Sequence, residues 1–99
     1  GGNFALLAAA LQEAVPAVRQ TCDAQGGYFL VAQTDGQSDV ELCMQLAEER
    51  GVVCTPMSVF YSTPFEPEQP CTLVRFTVCK SRAYIERACA ALRGEARPR

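Results

Sequence analysis

Apolar residues Phe4, Leu7, Ala8 and Leu11 recur at helical spacing behind Asn3, a residue suited to an N-cap, so the pattern predicts an opening amphipathic helix. Pro16 disfavours helical backbone at Val15, which predicts a stop near Ala14 and a connector from Val15 to Gln25. Gly26-Gly27 then punctuates, and Tyr28-Phe29-Leu30-Val31 is a β-rich apolar run of the kind that forms a strand buried on both faces. Thr34 to Gln37 is a turn cluster, and Ser38 followed three residues later by Glu41 is a helix start. The helix it opens is predicted from Asp39 to Arg50, with Val40, Cys43, Met44 and Ala47 as its buried stripe, widened by Leu42 and Leu46, and Gly51 as its stop.

Val52 to Thr55 predicts a very short strand ended by Pro56, and the Pro-rich stretch from Met57 to Pro70 predicts an ordered loop whose Phe60, Tyr61 and Phe65 are drawn out of water. From Cys71 to Cys79 the alternation of a strand sets Val74, Phe76 and Val78 on one face and Leu73, Arg75, Thr77 and Cys79 on the other. Ser81 caps a last predicted helix from Arg82 to Arg93, stopped by Gly94, and Glu95 to Arg99 reads as a frayed tail. The expected architecture is an α+β two-layer sandwich spanning residues 1–94, with helices packed on a small sheet of about three strands.

Composition narrows the functions open to such a domain. At 99 residues, 48% hydrophobic and 20% charged, the chain is expected to fold as one small domain. A net charge of −2 provides no basic face for a nucleic acid backbone. The apolar run Phe4 to Leu11 falls far short of the roughly 20 residues that span a bilayer, and it lacks the basic flank of a secretory signal. The opening Gly1-Gly2, in place of Met, suggests a piece of a longer polypeptide. Six cysteines contain no C-x-x-C pair and have no His beside them, so neither zinc nor a redox motif is expected. Their placement on helix and strand patterns predicts packed, reduced thiols and hence a cytoplasmic protein. Without His, no Cys-His or Ser-His nucleophile can be assembled from this chain.

Arg75 is the one residue whose setting suggests chemistry. It reads either as a solvent-facing residue on a half-buried strand or as a rigid guanidinium fork for bidentate binding of a carboxylate. Lys80, the only lysine, reads as a solvated charge.

The succession Gly26-Gly27-Tyr28-Phe29-Leu30, then Gly51-Val52-Val53 leading into Pro56-Met57-Ser58-Val59-Phe60-Tyr61-Ser62, then Leu73 to Lys80, resembles the C-terminal part of class I/II aminotransferases. These are pyridoxal-phosphate enzymes of fold type I. The wording around Phe60, Tyr61 and Pro64-Phe65 is most similar to kynurenine and glutamine transaminases, which also act as cysteine-conjugate β-lyases. The resemblance covers roughly Gln25 to Leu92 and implies the family's small domain, an α+β sandwich.

It further implies that Arg75 grips the substrate α-carboxylate, that Ser58 and Phe60 match the P-x-S-x-F segment near the substrate, and that Gly27 and Tyr28 begin the strand bordering the cleft. The Schiff-base lysine, the phosphate-binding residues and the acid that pairs with the pyridine nitrogen belong to the family's large domain, and Lys80 does not match that lysine motif. The chain alone is therefore expected to bind no pyridoxal phosphate and to be inactive. Its parent is expected to be a homodimer that moves an amino group from an amino acid to a 2-oxo acid, and the missing large domain is this chain's partner. A stand-alone amino-acid-binding regulatory module, or an interaction domain without ligand, is the alternative.

Overall fold

A computed structural model describes residues 2–66 and 68–95. Its elements are α1 (Gly2–Ala14), β1 (Val18–Ala24), β2 (Phe29–Thr34), α2 (Asp39–Arg50), β3 (Thr55–Pro56), a 3-10 turn (Met57–Phe60), β4 (Leu73–Thr77) and α3 (Arg82–Leu92). The four strands form one antiparallel sheet in the order β1-β2-β4-β3. This is the expected α+β sandwich, with four strands in place of about three.

The extra strand, β1, occupies most of the predicted connector. Its residues show almost no inside-outside alternation, because it is an edge strand whose Arg19, Gln20, Cys22 and Asp23 face water. Pairing with β2, from Val18 opposite Thr34 to Ala24 opposite Phe29, creates it, and side-chain pattern alone could not. The hairpin closes through Gln25, Gly26 and Gly27 at φ of 52°, 69° and 89°, a left-handed run that the two glycines permit.

Along β2, Leu30, Ala32 and Thr34 are buried while Phe29, Val31 and Gln33 are half-buried, and β4 repeats this with Val74 and Phe76 against Leu73, Arg75 and Thr77. The expectation of a strand buried on both faces is thus corrected: the helices cover one face and the other stays partly open. Leu7, Ala10 and Leu11 of α1, Leu42 and Leu46 of α2, and Ile85, Cys89 and Leu92 of α3 complete the core on the covered face.

Helix α2 has the expected bounds, with the Ser38 hydroxyl accepting from Glu41 N–H at 3.2 Å and Gly51 at φ 68° ending it. Its buried side differs from the expected one. Asp39, Leu42 and Leu46 point inward, Val40, Met44 and Ala47 are exposed, and Cys43 is half-buried. Two leucines remove more apolar area from water than the valine-alanine alternative, and they set the rotation of the helix. The strand predicted over Val52 to Thr55 shrinks to Thr55–Pro56, opposite Arg75 and Val74, with Val52 turned into the core. Pro56 lacks an N–H and sits where no further strand follows.

Phe60, Tyr61 and Phe65, expected out of water, are 53%, 52% and 41% exposed. They gather on the open side of the sheet, where the described residues form no second layer; Tyr61 and Phe65 meet edge to face at 5.1 Å.

Asn3 is not an N-cap. It lies within α1, and its amide donates to the Val78 and Lys80 carbonyls at 3.1 and 2.8 Å, pinning the helix to the end of β4. Asn3→Ala should therefore cost about 1 kcal/mol and lower the urea midpoint without changing the slope. An unchanged midpoint would show that water replaces the amide freely.

Helix α3 starts as expected, with the Ser81 hydroxyl accepting from Tyr84 N–H at 3.1 Å. Of the predicted tail, Glu95 still donates its N–H to Ala90, and residues 96–99 lie outside the described residues.

Candidate functional site

The half-buried face of the sheet carries Arg75 at its centre. Antiparallel register sets Arg75 opposite Val31 on β2 and Thr55 on β3, and two pairs along, on the same face, Phe29 stands opposite Thr77. The guanidinium carbon lies 4.0 Å from the centroid of the Phe29 ring and 4.6 Å from that of Phe60. Two aromatic faces thus cover the cation, an arrangement that holds it by electrostatics and restricts its rotamers. Ion pairs among the described residues are Arg19 with Asp35 at 3.6 Å and Arg93 with Glu13 at 3.0 Å, and none of the described residues offers Arg75 a carboxylate. A guanidinium held beside aromatic rings keeps its N–H donors in a planar fork, a shape suited to a planar anion.

Phe60 reaches Arg75 because the 3-10 turn is anchored from below. Ser58 N–H donates to Asp39 Oδ2 at 2.8 Å, Val40 N–H donates to Asp39 Oδ1 at 2.8 Å, and Asp39 N–H donates to the Cys71 carbonyl at 2.8 Å. Burial raises the Asp39 pKa, but donors from the Ser58 hydroxyl and N–H, from Val40 N–H and from the Cys71 thiol outweigh it and hold the carboxyl below its ordinary range. The first turn of α2 adds its own preference for an anion there.

The structure therefore brings Arg75 and Phe60 together and turns Ser58 to Asp39. Tyr28 lies in the β1–β2 turn, 58% exposed, its carbonyl accepting from Val78 N–H at 3.0 Å, and Gly27 precedes it. Sequence reasoning missed Phe29 and Asp39. Phe29 becomes a neighbour of Arg75 only once the β2–β4 register is known. Asp39 looks like an ordinary first-turn acid, and its tie to Ser58 spans nineteen positions.

Lys80 is exposed on the turn before α3, its ammonium 5.4 Å from the Tyr84 ring centroid and its carbonyl bound by Asn3 of α1. Among the described residues no cluster of three or more His, Cys, Asp or Glu could hold a metal, and no helix is long and apolar enough to cross a membrane.

The sequence model of the family "Aminotransferase class I and II" matches residues 2–92. Methionine aminotransferase of Escherichia coli (strain K12) is 36% identical over 72 residues, which cover 70% of this chain and 18% of that protein. A crystal structure from Escherichia coli, of a protein whose reactivity identifies a methionine aminotransferase function, matches with a TM-score of 0.72 at 30% identity over 94% of this chain and 23% of that one. The N-succinyldiaminopimelate aminotransferase of Mycobacterium tuberculosis matches with a TM-score of 0.70 at 35% identity, over 96% of this chain and 24% of its own. The chain spans about a quarter or less of the length of these relatives. A match running through all three helices and all four strands leaves no ambiguity about kinship: the chain belongs to the class I and II aminotransferases.

Proposed function

We propose that residues 1–94 form the C-terminal small domain of an aminotransferase and that Arg75 holds the substrate α-carboxylate while an amino group passes from an amino acid to a 2-oxo acid. The observation that carries this reading is the guanidinium of Arg75, set against Phe29 and Phe60 on the open face of the sheet with no carboxylate of the described residues to neutralise it. Gripping the carboxylate fixes the bond to the α-hydrogen in space, so the contribution of this chain is orientation. Phe60 stacks on the guanidinium and borders the bound substrate, Tyr28 stands at the margin of the cleft, and Ser58, through Asp39, keeps the turn that carries Phe60 in place.

Pyridoxal phosphate, the cofactor the family implies, serves as the electron sink of such a reaction. The residues of this chain do not make its site, since the only lysine lies against Tyr84 on the turn before α3. That site belongs, in this reading, to the large domain of the same polypeptide, for which the exposed Phe60, Tyr61 and Phe65 provide an apolar docking face. The parent is a cytoplasmic homodimer, its compartment supported by six cysteines that are all free. The donor is of the kynurenine, glutamine or aromatic type suggested by the residues around Phe60, with methionine the competing donor suggested by the relatives.

Three measurements test this. Replacement of Arg75 in the intact enzyme, assayed with amino acids against amines that lack the carboxylate, tests the grip. The ratio of kcat/KM for kynurenine and glutamine to that for methionine tests the donor. The isolated chain mixed with pyridoxal phosphate should show no stoichiometric absorbance band from bound cofactor and no transamination. A stoichiometric band would move the cofactor site into this chain and overturn that part of the reading.

A further inference from the structure

One pair of groups lies outside the proposed site and has no part in gripping a carboxylate. Cys43, on α2, and Cys54, just before β3, place their sulfur atoms 3.2 Å apart, the Cys54 thiol donating to Cys43. Both are half-buried, neither sealed in the core nor fully exposed. The remaining cysteines have no second thiol beside them: Cys71 and Cys89 are buried, the Cys71 thiol facing Asp39 and the Leu73 carbonyl and the Cys89 thiol directed to the Leu6 carbonyl, and Cys22 and Cys79 are exposed on β1 and beyond β4.

The pairing is built in by packing. Asp39 and Cys43 stand one helical turn apart on α2, and Ser58 and Cys54 four residues apart on the segment that follows the helix. Asp39 binds Ser58 and Cys43 binds Cys54, so the segment runs antiparallel to the helix and is tied to it at two points. A covalent bond at the second tie would close a short chain of eleven positions and would need the sulfurs to approach by only about 1 Å, to the ~2.05 Å of a disulfide.

We propose that Cys43 and Cys54 are a dithiol that hydroperoxides convert reversibly into an intrachain disulfide. Cys43 sulfur attacks a peroxide oxygen, the O–O bond breaks, and one water leaves with sulfenic acid on Cys43. Cys54 sulfur then attacks the Cys43 sulfur, the S–O bond breaks, the S–S bond forms, and a second water carries off the Cys54 proton. Two thiols lose two electrons and two protons, and hydrogen peroxide is reduced to two waters. The hydrogen bond from Cys54 lowers the Cys43 pKa, against the opposing effects of burial and the Asp39 charge, while the same bond and burial push the Cys54 thiol up, so Cys43 is the attacking sulfur and Cys54 the resolving one. Cys54 directly precedes Thr55, the residue opposite Arg75, so the bond would clamp the strand that borders the candidate site.

The test uses the full chain, prepared without oxidant, in which denaturation should release six reactive thiols. Brief treatment with hydrogen peroxide should remove two of these six, with the mass of two hydrogens lost, and a dithiol reductant should restore them. Cleavage after glutamate separates Cys43 and Cys54 onto different peptides, bounded by Glu41 and Glu48 and by Glu49 and Glu68, with no other cysteine in either. A reducible link between these two peptides is the expected result. Cys43→Ser and Cys54→Ser should each abolish it. Recovery of Cys43 and Cys54 as free thiols after Cys22 or Cys79 has taken up oxygen would overturn the proposal, as would a link joining any other pair. The map is read on the unmodified sequence, so it stands even if a serine variant fails to fold.

Discussion

Arg75→Ala in the intact enzyme should lower kcat/KM for amino acids by roughly 30- to several-thousand-fold, the range that corresponds to about 2 to 5 kcal/mol for removing one partner of a desolvated charge pair. The size follows from the setting of the side chain. Phe29 and Phe60 lie against the guanidinium at 4.0 and 4.6 Å, so a substrate carboxylate there meets a cation whose rotamers are already restricted. Arg75→Lys keeps the charge but loses the planar fork and the stacking, and should recover only part of the loss. The defect should follow the carboxylate: amines without that group should be affected far less than amino acids. A general loss of folding would reduce both alike, so the comparison separates grip from stability. Amino-acid kcat/KM within about threefold of wild type, below roughly 1 kcal/mol, would return Arg75 to the reading of a solvent-facing strand residue.

The position of Arg75 on a strand was legible in the sequence, and the reason it is held there was not. Alternation from Val74 to Val78 reports which way each side chain points, because a strand paired on both sides and covered on one face imposes a period of two. It says nothing about which residue of a distant strand comes alongside, so Phe29 was invisible as a partner. The bounds of α2 and the start of α3 were legible for a similar local reason, whereas the start of α1 was not, since Asn3 lies inside that helix. Ser38 and Ser81 cap the backbone within three residues, and Gly51 supplies a left-handed stop at the next position.

What failed were properties decided by tertiary contact. β1 exists because β2 offers it a ladder, despite a polar sequence that reads as connector. The rotation of α2 was set by Leu42 and Leu46 against a competing stripe of comparable periodicity. Phe60, Tyr61 and Phe65, expected out of water, stay exposed, because the Pro-rich loop places them beside the open sheet face, where Tyr61 and Phe65 meet each other and Phe60 meets Arg75.

Asp39→Ala should destabilise the domain by about 2 to 4 kcal/mol, a large share of the stability of so small a fold. Asp39 is 3% exposed and its carboxylate accepts from two backbone groups, Val40 N–H and Ser58 N–H, each at 2.8 Å, and truncation leaves both donors without their acceptor. Asp39→Asn keeps one acceptor oxygen and nearly the same shape, but replaces the other with an NH₂ that faces an N–H, so it should fall between wild type and alanine. The pH dependence identifies the charge as the cause. The folded-state pKa is lowered from the ordinary 3.8, so the folded protein holds this proton less tightly than the unfolded chain. The contribution is then complete above the unfolded value and is lost as pH falls through the folded one. Urea unfolding at neutral pH and again near pH 3 should show the gap between wild type and Asp39→Asn narrowing in acid. A gap that stays constant would assign the effect to shape and hydrogen bonding without charge. Because Ser58 leads directly to Phe60, the folded Asp39→Asn variant should also weaken the hold on Arg75, raising KM for amino acids more than it lowers kcat. An unchanged KM would separate the Asp39 anchor from the carboxylate grip.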